Sequence, residues 1–398
     1  MISVSQALDA LIENAPVAGE DSLPLSACLG RRLAADVVAR TTLPPSDVSA
    51  MDGYAVRLED THNIGDVLRV IGEAPAGTPS DLKLGAGEAI RIFTGGALPD
   101  GADHVLIQED TTRDGETISV TDAQTVHRHI RKAGLDFSTG DTLIKAGTWL
   151  GPAEISLAAA GNHSELVVAR KLKVAILASG NELKPPGSEL ERGQIVNSNT
   201  SAISSLVTAW GGEPIELGIA RDSVDDIVAM ARSVDHADIL VPVGGASVGD
   251  HDHMRAAFKA LGFGMIFEKI AVKPGKPTWF ARSGEQCVLG LPGNPASAYV
   301  CAHLFLAPLL NAGVSQKGSR SVMLTHELSA NGRRETYLRA RYVDEDRQCV
   351  EVLSQQDSSL IRPFTVADCL IRREANAERV AEGEKVDVFA LTGSSAWG

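Results

Sequence analysis

The residues best suited to chemistry lie in three glycine- or proline-rich loops between positions 244 and 295. The first loop follows a short apolar run, residues 238–243, which is typical of a buried strand. Glycines free the backbone to turn its N–H groups toward an anion, and the residues from 253 onward have helical spacing. The loop therefore predicts an anion-binding turn. Its candidate binding residues are Gly244, Gly245, Ser247 and Gly249.

Two further loops add cations and amides. Lys273 and Lys276 follow a strand-like run at residues 265–272, and another such run at 287–291 precedes an apolar helix at 296–310. In an open parallel sheet the ligand binds at the carboxyl ends of the strands, so lysines and amides from separate loops should converge. The candidate residues of the last loop are Pro292, Gly293, Asn294 and Pro295.

Three acidic side chains are expected at the same sheet edge: Glu182, Asp222, and one of Asp250 and Asp252. Carboxylates near an anion site usually need a cation between them, and hard oxygen ligands suit Mg²⁺. The alternative for each of these acids is helix N-capping, which is supported about equally well for Asp222 and Asp250. The strand end before Glu182 supplies two more candidate binding residues, Ser179 and Gly180.

The elements that hold these loops begin with residues 171–313, where strands and helices alternate and demand a mostly parallel sheet. Residues 320–398 are strand-rich again and are expected to form a separate β-barrel. Between residues 47 and 145, short strands are punctuated by Gly and Pro, which predicts an inserted all-β domain.

The remaining segments have helical spacing. Residues 4–15, 26–39 and 146–170 look helical, and two prolines at 44 and 45 end the first region. We expect these helical segments to pack on each other. Residues 1–46 and 146–170 would then form one discontinuous helical domain around the β insertion.

The β insertion carries a second candidate phosphate-facing turn. Thr94 places a hydroxyl beside Gly95 and Gly96 directly after a strand. The alternative is an ordinary hairpin loop, which a glycine pair after a strand more often marks. Arg131 lies in the same region, although solvation at the surface also explains it.

Composition excludes several classes of function. The net charge is −14 with a pI near 5.2, and no long basic run is present, which argues against a nucleic-acid partner. The longest apolar stretch is too short for a bilayer span, and the N-terminus lacks a basic leader, so we expect neither a membrane role nor a signal peptide. Five widely spaced cysteines without a C-x-x-C pair fit the reducing cytoplasm.

Read in order, five motifs resemble the molybdopterin molybdenumtransferase family, whose eukaryotic relative is the carboxyl-terminal domain of gephyrin. The motifs are SAMDGYA at 49–55, RIFTGG at 91–96, GASVG at 245–249 with Asp252, KPGKP at 273–277 and LPGNPAS at 291–297. The resemblance covers nearly the whole chain and implies four domains: a discontinuous helical domain, an inserted β-domain, a molybdopterin-binding α/β domain and a terminal β-barrel.

The resemblance also implies an activity. Family members transfer molybdate onto the dithiolene of adenylylated molybdopterin and release AMP, in an elongated homodimer whose sites combine residues of both subunits. Mg²⁺ would be the cofactor, held by Glu182, Asp222 and Asp252. Candidate protein partners are the molybdopterin adenylyltransferase and molybdoenzyme maturation factors. The catalytic residues by motif match are Asp52, Thr94, Glu182, Asp222, Asp252, Lys273 and Lys276.

Two other functions fit the same fold. The adenylyltransferase that makes the adenylylated substrate uses a similar α/β domain, but its glycine loop typically carries a second hydroxyl residue and a further glycine. A non-catalytic scaffold is the other alternative, since gephyrin also anchors partners. The joint presence of the acids, Thr94 and both lysines favours the enzyme.

Overall fold

The computed structural model describes residues 1–244, 253–310 and 319–391 of the 398-residue chain. The chain divides into two compact units. The first unit contains Met1–Gly19 and Arg170–Gly398, and the second contains Glu20–Ala169. The second unit is thus an insertion in the first. The finer division into four domains stays a prediction.

The second unit is built on a six-stranded sheet that is buried on both faces. Along Gly53–Val56, Tyr54 and Val56 enter one apolar cluster while Ala55 enters another, as the alternation of side chains along a strand requires. The predicted short strands of this region are confirmed. Their spatial order is His104–Ile107, Gly53–Val56, Glu88–Ile92, Val67–Ala74, Thr117–Val120 and Thr111–Asp114.

Three two-stranded ladders and one helix complete the second unit. The helix is Pro152–Ala160, which begins with a proline in its first turn and has Glu154 bonded back to Gly151. Short 3₁₀ turns lie at Leu25–Ala27, Leu58–Asp60 and Gln108–Asp110. The paired strands are Glu20–Pro24 with Glu165–Ala169, Val37–Val38 with Thr142–Ile144, and Val48–Ser49 with Ile130–Arg131.

The prediction of a helix at residues 26–39 is wrong. Gly30 has φ +69°, a left-handed conformation that interrupts a helix, and Leu33 forms an antiparallel bridge with Val168. The buried Cys28, Leu33 and Val37 instead line a small core around Ala158 of the helix. Backbone pairing with distant residues therefore overrides the helical spacing of this segment.

The first unit contains the predicted mostly parallel sheet. In spatial order its first four strands run parallel, and of its six strands Trp279–Ser283 alone runs in the opposite direction. Apolar residues fill both faces: Val174 and Ile176 enter one core, whereas Ala175 and Leu177 enter another. The spatial order is Glu213–Ala220, Lys173–Ser179, Ile239–Val243, Gln286–Gly290, Trp279–Ser283 and Gly264–Phe267.

Helices cover both faces of this sheet. Asn199–Ala209 and Pro295–Cys301 contribute to one core, and Val224–Arg232 and His253–Ala260 to the other. Pro295–Cys301 continues through a π-helical segment, Ala302–Leu306, into Ala307–Leu310. No helix among the described residues is long and apolar enough to cross a membrane.

The N-terminal helix, Val4–Glu13, belongs to the same core. It begins at a capping box formed by Ser3 and Gln6, and it buries Val4, Ala7 and Leu11 with residues of the central sheet. Pro152–Ala160 buries Ala158 in a different core. The expectation that these two helical segments pack on each other stays a prediction.

The end of the chain forms the predicted β-barrel. Glu335–Tyr342 pairs with both Cys349–Val352 and Cys369–Arg373, which closes the ring of strands. Val272–Lys273 adds to Glu335–Tyr342 from outside the ring. The ring order is Glu335–Tyr342, Cys349–Val352, Arg320–Leu324, Lys385–Ala390 and Cys369–Arg373.

Candidate active site

In the second unit, the structure brings Asp52 and Thr94 together. Antiparallel pairing of Gly53 with Ile92 places the two residues side by side although 42 positions separate them. The Thr94 N–H and Oγ1 donate hydrogen bonds of 2.7 and 2.8 Å to Oδ1 of Asp52. The Thr94 N–H, and next its hydroxyl, lower the pKa of Asp52 below its ordinary value. Asp52 is thus held ionised at the surface.

The turn after Thr94 requires its glycines. Gly95 has φ +81° and donates its N–H to the Ser49 carbonyl at 2.9 Å. A Cβ on Gly96 would lie 2.5 Å from the Ala74 carbonyl oxygen, so no side chain fits there. Both predicted glycines therefore shape the turn that presents Thr94. Arg131 is exposed on the strand opposite Val48, next to this turn.

Sequence reasoning missed Arg91 in this cluster. Its guanidinium lies 5.1 Å from the ring centroids of both Tyr54 and Phe93, and it donates to Gln108 at 2.8 Å. Its positive charge also contributes to lowering the pKa of Asp52. The signal was present, because Arg91 opens the RIFTGG motif three residues before Thr94.

In the first unit, Ser179 and Asp222 meet at the carboxyl ends of adjacent strands. Parallel register pairs Ser179 with Ala220, and Oγ of Ser179 donates to Oδ1 of Asp222 at 2.6 Å. The Asn181 N–H donates to the other oxygen of Asp222 at 3.2 Å. Asp222 therefore anchors the loop after the first strand, and Asn181 is a further residue of this site that was not among the candidate site residues.

Gly180 and Glu182 lie close together in this loop. A Cβ on Gly180 would lie 2.8 Å from Oε2 of Glu182, so the carboxylate folds back over the glycine backbone. Glu182 is exposed and Gly180 is buried. The absence of a side chain at position 180 is what leaves room for the carboxylate.

Two other glycines approach the same strand end. Gly244 has φ +97°, and a Cβ there would lie 2.8 Å from the Ser179 carbonyl oxygen. A Cβ on Gly293 would lie 3.3 Å from Cα of Gly244. The structure thus brings together three predicted loops, from Ser179, Gly244 and Gly293, at one edge of the sheet.

The proline-rich loop is fixed by side-chain amides. Asn199 donates to the Gly293 carbonyl at 2.8 Å, and Asn294 donates to Oγ of Ser358 at 3.1 Å. Pro292 is buried, and Pro295 opens the helix Pro295–Cys301. Ser358 is another neighbour that sequence reasoning missed.

A cleft opens beside Gly180 and Asn181. Its volume is about 560 Å³, and it lies between the start of the helix Asn199–Ala209 and the edge strand Glu213–Ala220. This volume falls in the usual range for small-molecule sites, roughly 300–1,000 Å³. Its charged lining residues are Lys184, Glu216 and Arg221.

Lys273 and Lys276 are both exposed, on either side of the buried Gly275. Lys273 ends the short strand that pairs with Glu335–Tyr342. Gly245, Ser247, Gly249, Asp250 and Asp252 lie outside the described residues, so their predicted roles stay predictions. Within the described ranges, no group of three His, Cys, Asp or Glu side chains is placed to hold a metal ion.

Comparison with known proteins gives matches along the chain. Residues 2–161 match the MoeA N-terminal region (domain I and II), residues 175–312 match the "Probable molybdopterin binding domain", and residues 321–391 match the MoeA C-terminal region (domain IV). Several curated relatives carry the name molybdopterin molybdenumtransferase. The one from Nostoc sp. is 36% identical over 79% of this chain and 75% of its own, and the one from Haemophilus influenzae is 33% identical over 98% of both.

A solved structure of a molybdopterin biosynthesis MoeA protein from Pyrococcus horikosii is 32% identical and superposes with a TM-score of 0.87, covering 99% of this chain and 100% of that chain. The fold and the strand-edge site together define a multidomain protein built around a molybdopterin-binding type of α/β domain. The chain belongs to the molybdopterin molybdenumtransferase family and is a transferase of molybdenum cofactor biosynthesis.

Proposed function

We propose that this transferase inserts molybdate into the dithiolene of adenylylated molybdopterin and releases AMP. The observation that carries the proposal is the convergence of Ser179, Gly244 and Gly293 at one sheet edge, with Asp222 anchored there. An open α/β sheet binds its ligands at this edge. Backbone N–H groups free of side chains suit a substrate with a pyrophosphate bond, and the carboxylates suit a cation bound beside it.

We assign anion binding to the exposed Lys273 and Lys276. Molybdate and pyrophosphate are both negatively charged, so lysines on one and a cation on the other reduce the repulsion between them. Asp52, which Thr94 holds ionised, is assigned to the part of the site that the second unit contributes.

Mg²⁺ is the cation that we propose. Carboxylate oxygens are the donors it prefers, and two loops supply them: Glu182 from the loop after Ser179, and Asp222 from the end of the adjacent strand Glu213–Ala220. Asp252 is the third proposed ligand. When bound, Mg²⁺ would neutralise charge on the leaving phosphate oxygen, while Ser179 and Asn181 keep the Asp222 carboxylate oriented.

The test is a turnover assay with adenylylated molybdopterin, molybdate and Mg²⁺, in which AMP release is measured. We expect release to require all three, and to fall by orders of magnitude in Asp252→Asn and Glu182→Gln. Glu182→Gln should melt near the wild-type temperature, because Glu182 is exposed in a turn outside any helix. Asp252→Asn should do so because an amide oxygen caps a helix nearly as well as a carboxylate. Normal Mg²⁺-dependent turnover in Asp252→Asn would remove that residue from the metal site.

The two alternatives predict different products. A molybdopterin adenylyltransferase would consume ATP and molybdopterin, whereas a scaffold would release no AMP from any of these substrates. Five free thiols and no disulfide fit a reducing compartment, so we propose the cytoplasm as the location.

We further propose a homodimer whose sites are shared between subunits, with Asp52 from one and Asp252 from the other. Mixing Asp52→Ala and Asp252→Ala chains should then restore part of the activity that each lacks alone, because one site of each mixed dimer is intact. Mixed dimers that exchange subunits but stay inactive would contradict a shared site. Docking of the molybdopterin adenylyltransferase or maturation factors is left as a secondary proposal for pull-down with purified partners.

A further inference from the structure

The turn that carries the two lysines is buried at its middle residue. Gly275 is buried, while Lys273 and Lys276 on either side are exposed. Gly275 has φ +113°, and a Cβ there would lie 2.1 Å from Sγ of the buried Cys301. The backbone is therefore seated in the core between two lysines that face solvent.

Thr278 holds the Gly275 carbonyl with two hydrogen bonds. Its N–H donates at 3.1 Å and its Oγ1 donates at 2.8 Å, and the hydroxyl also lies 3.2 Å from Sγ of Cys301. Thr278 and Cys301 are both 0% exposed, so water does not replace these contacts. Burial raises the pKa of Cys301 to about 12, and its sulfur stays a neutral thiol beneath the turn.

The two ends of the turn are fixed by backbone bonds. The Ile270 N–H donates to the Lys276 carbonyl at 3.1 Å, and Lys273 pairs with Thr336 of the barrel. The Thr278 hydroxyl also fixes the orientation of the Gly275 carbonyl in the middle of the turn. Rotation of that peptide would change the separation and direction of the two lysines.

We propose that Thr278 is a positioning residue that sets the geometry of Lys273 and Lys276 for binding a tetrahedral oxyanion. The inference rests on the proposed function, in which these lysines bind molybdate. Two flexible ammonium groups act together on one small anion only if their backbone is held within about 0.5 Å of the productive arrangement. A fully buried hydroxyl on the peptide between them supplies that constraint.

The test compares Thr278→Val with Thr278→Ser. Valine has the shape of threonine but cannot donate, whereas serine keeps the donor. We expect Thr278→Val to raise the KM for molybdate about three- to tenfold, as loss of one hydrogen bond predicts, with a much smaller change in kcat. Thr278→Ser should restore the KM most of the way to the wild-type value.

Thr61 offers a matched control. It is also 0% exposed, and its N–H and Oγ1 also donate to the carbonyl three residues earlier, Leu58, at 3.1 and 2.9 Å. Thr61→Val should lower the melting temperature about as much as Thr278→Val does, yet leave the KM for molybdate unchanged. An equal rise in KM in both variants, or an unchanged KM in Thr278→Val, would overturn the proposal.

Calorimetry with molybdate separates this proposal from the proposed function. If the wild-type chain binds molybdate but does not release AMP, the proposed reaction fails, and a weaker molybdate affinity in Thr278→Val still supports the positioning role. If turnover is normal and Thr278→Val binds molybdate as tightly as the wild type, only the positioning role fails. Absence of molybdate binding by the wild type would reject both.

Discussion

At the scale of single residues, His104 is a completely buried side chain with two polar ring nitrogens. Its Nδ1 accepts a 3.1 Å hydrogen bond from the Arg128 N–H, while its Nε2 has no partner among the described residues. Burial, followed by the charge of His129, lowers its pKa to about 4. The folded protein therefore keeps this ring neutral, because a proton on Nδ1 would break the bond to Arg128.

The depressed pKa of His104 predicts a dependence of stability on pH. Between about pH 6.5 and 4 the unfolded chain binds the proton and the folded chain does not, so the free energy of unfolding falls as the pH drops through that window. In His104→Asn, the amide oxygen accepts from Arg128 without titrating. Urea unfolding at pH 7 and pH 4.5 should show a loss roughly 2 kcal/mol smaller in this variant. An equal loss in both proteins would contradict the prediction.

Asp52 gives a second prediction at this scale. The Thr94 N–H is the larger cause of its lowered pKa and the Thr94 hydroxyl the next. Thr94→Val removes only the hydroxyl, so the pKa of Asp52 should rise but stay below its ordinary value. An NMR titration of the side-chain carboxyl carbon measures this. Thr112→Val, an exposed threonine of the same sheet, is the control and should leave the titration unchanged.

Sequence patterns identified Asp52 and Thr94 as candidate site residues but did not predict that they are in contact. The RIFTGG and SAMDGYA motifs identify Thr94 and Asp52 separately. Their meeting depends on the register that pairs Gly53 with Ile92, and register is set by packing across the sheet rather than by local residues. Arg91 was missed for the same reason, since its stacking on Tyr54 needs the neighbouring strand.

At the scale of elements, Gly290 and Trp279 show how tightly two adjacent strands of the central sheet pack. A Cβ on Gly290 would lie 2.0 Å from the ring of Trp279, which is 0% exposed on the adjacent strand. Gly290→Ala should lower the free energy of unfolding by about 1–3 kcal/mol, because the buried ring has to move. The shift of tryptophan fluorescence and the urea midpoint measure the effect.

Gly264 provides the comparison for Gly290. It lies on an edge strand of the same sheet, and a Cβ there would make only an ordinary 3.7 Å contact with the Arg282 carbonyl oxygen. Gly264→Ala should therefore change the free energy of unfolding by less than about 1 kcal/mol. Equal destabilisation by both substitutions would mean that the Trp279 ring is not what limits position 290.

Sequence patterns missed or wrongly predicted three elements of the fold. Trp279–Ser283 runs antiparallel within a region whose strand–helix alternation indicates parallel strands, although Gly284 after it marks a hairpin turn with φ +58°. The wrong helix at residues 26–39 and the missed strand Cys369–Arg373 are held by partners distant in sequence. The long apolar strands and their glycine ends were predicted correctly, because burial on both faces leaves a continuous local signal.

At the scale of the whole molecule, the five cysteines predict an accessibility pattern. All five are free thiols, and only Cys349 is not buried. Burial raises the pKa of Cys287, Cys301 and Cys369 to about 12, which suppresses the reactive thiolate. Titration with Ellman's reagent should give one fast thiol in the native protein and five in denaturant. Cys349→Ser should abolish the fast phase; a fast phase that survives would place reactivity at a buried position.

The closed barrel affects how the protein aggregates at high concentration. Its ring joins Glu335–Tyr342 to Cys369–Arg373, so within the described residues the ring offers no unpaired strand edge to another chain. The central sheet is open, but its edge strand Glu213–Ala220 contains Pro214, which cannot donate a ladder hydrogen bond. Within the central sheet, fibre-like association should therefore begin at the opposite edge, Gly264–Phe267, and a lysine introduced there should delay it.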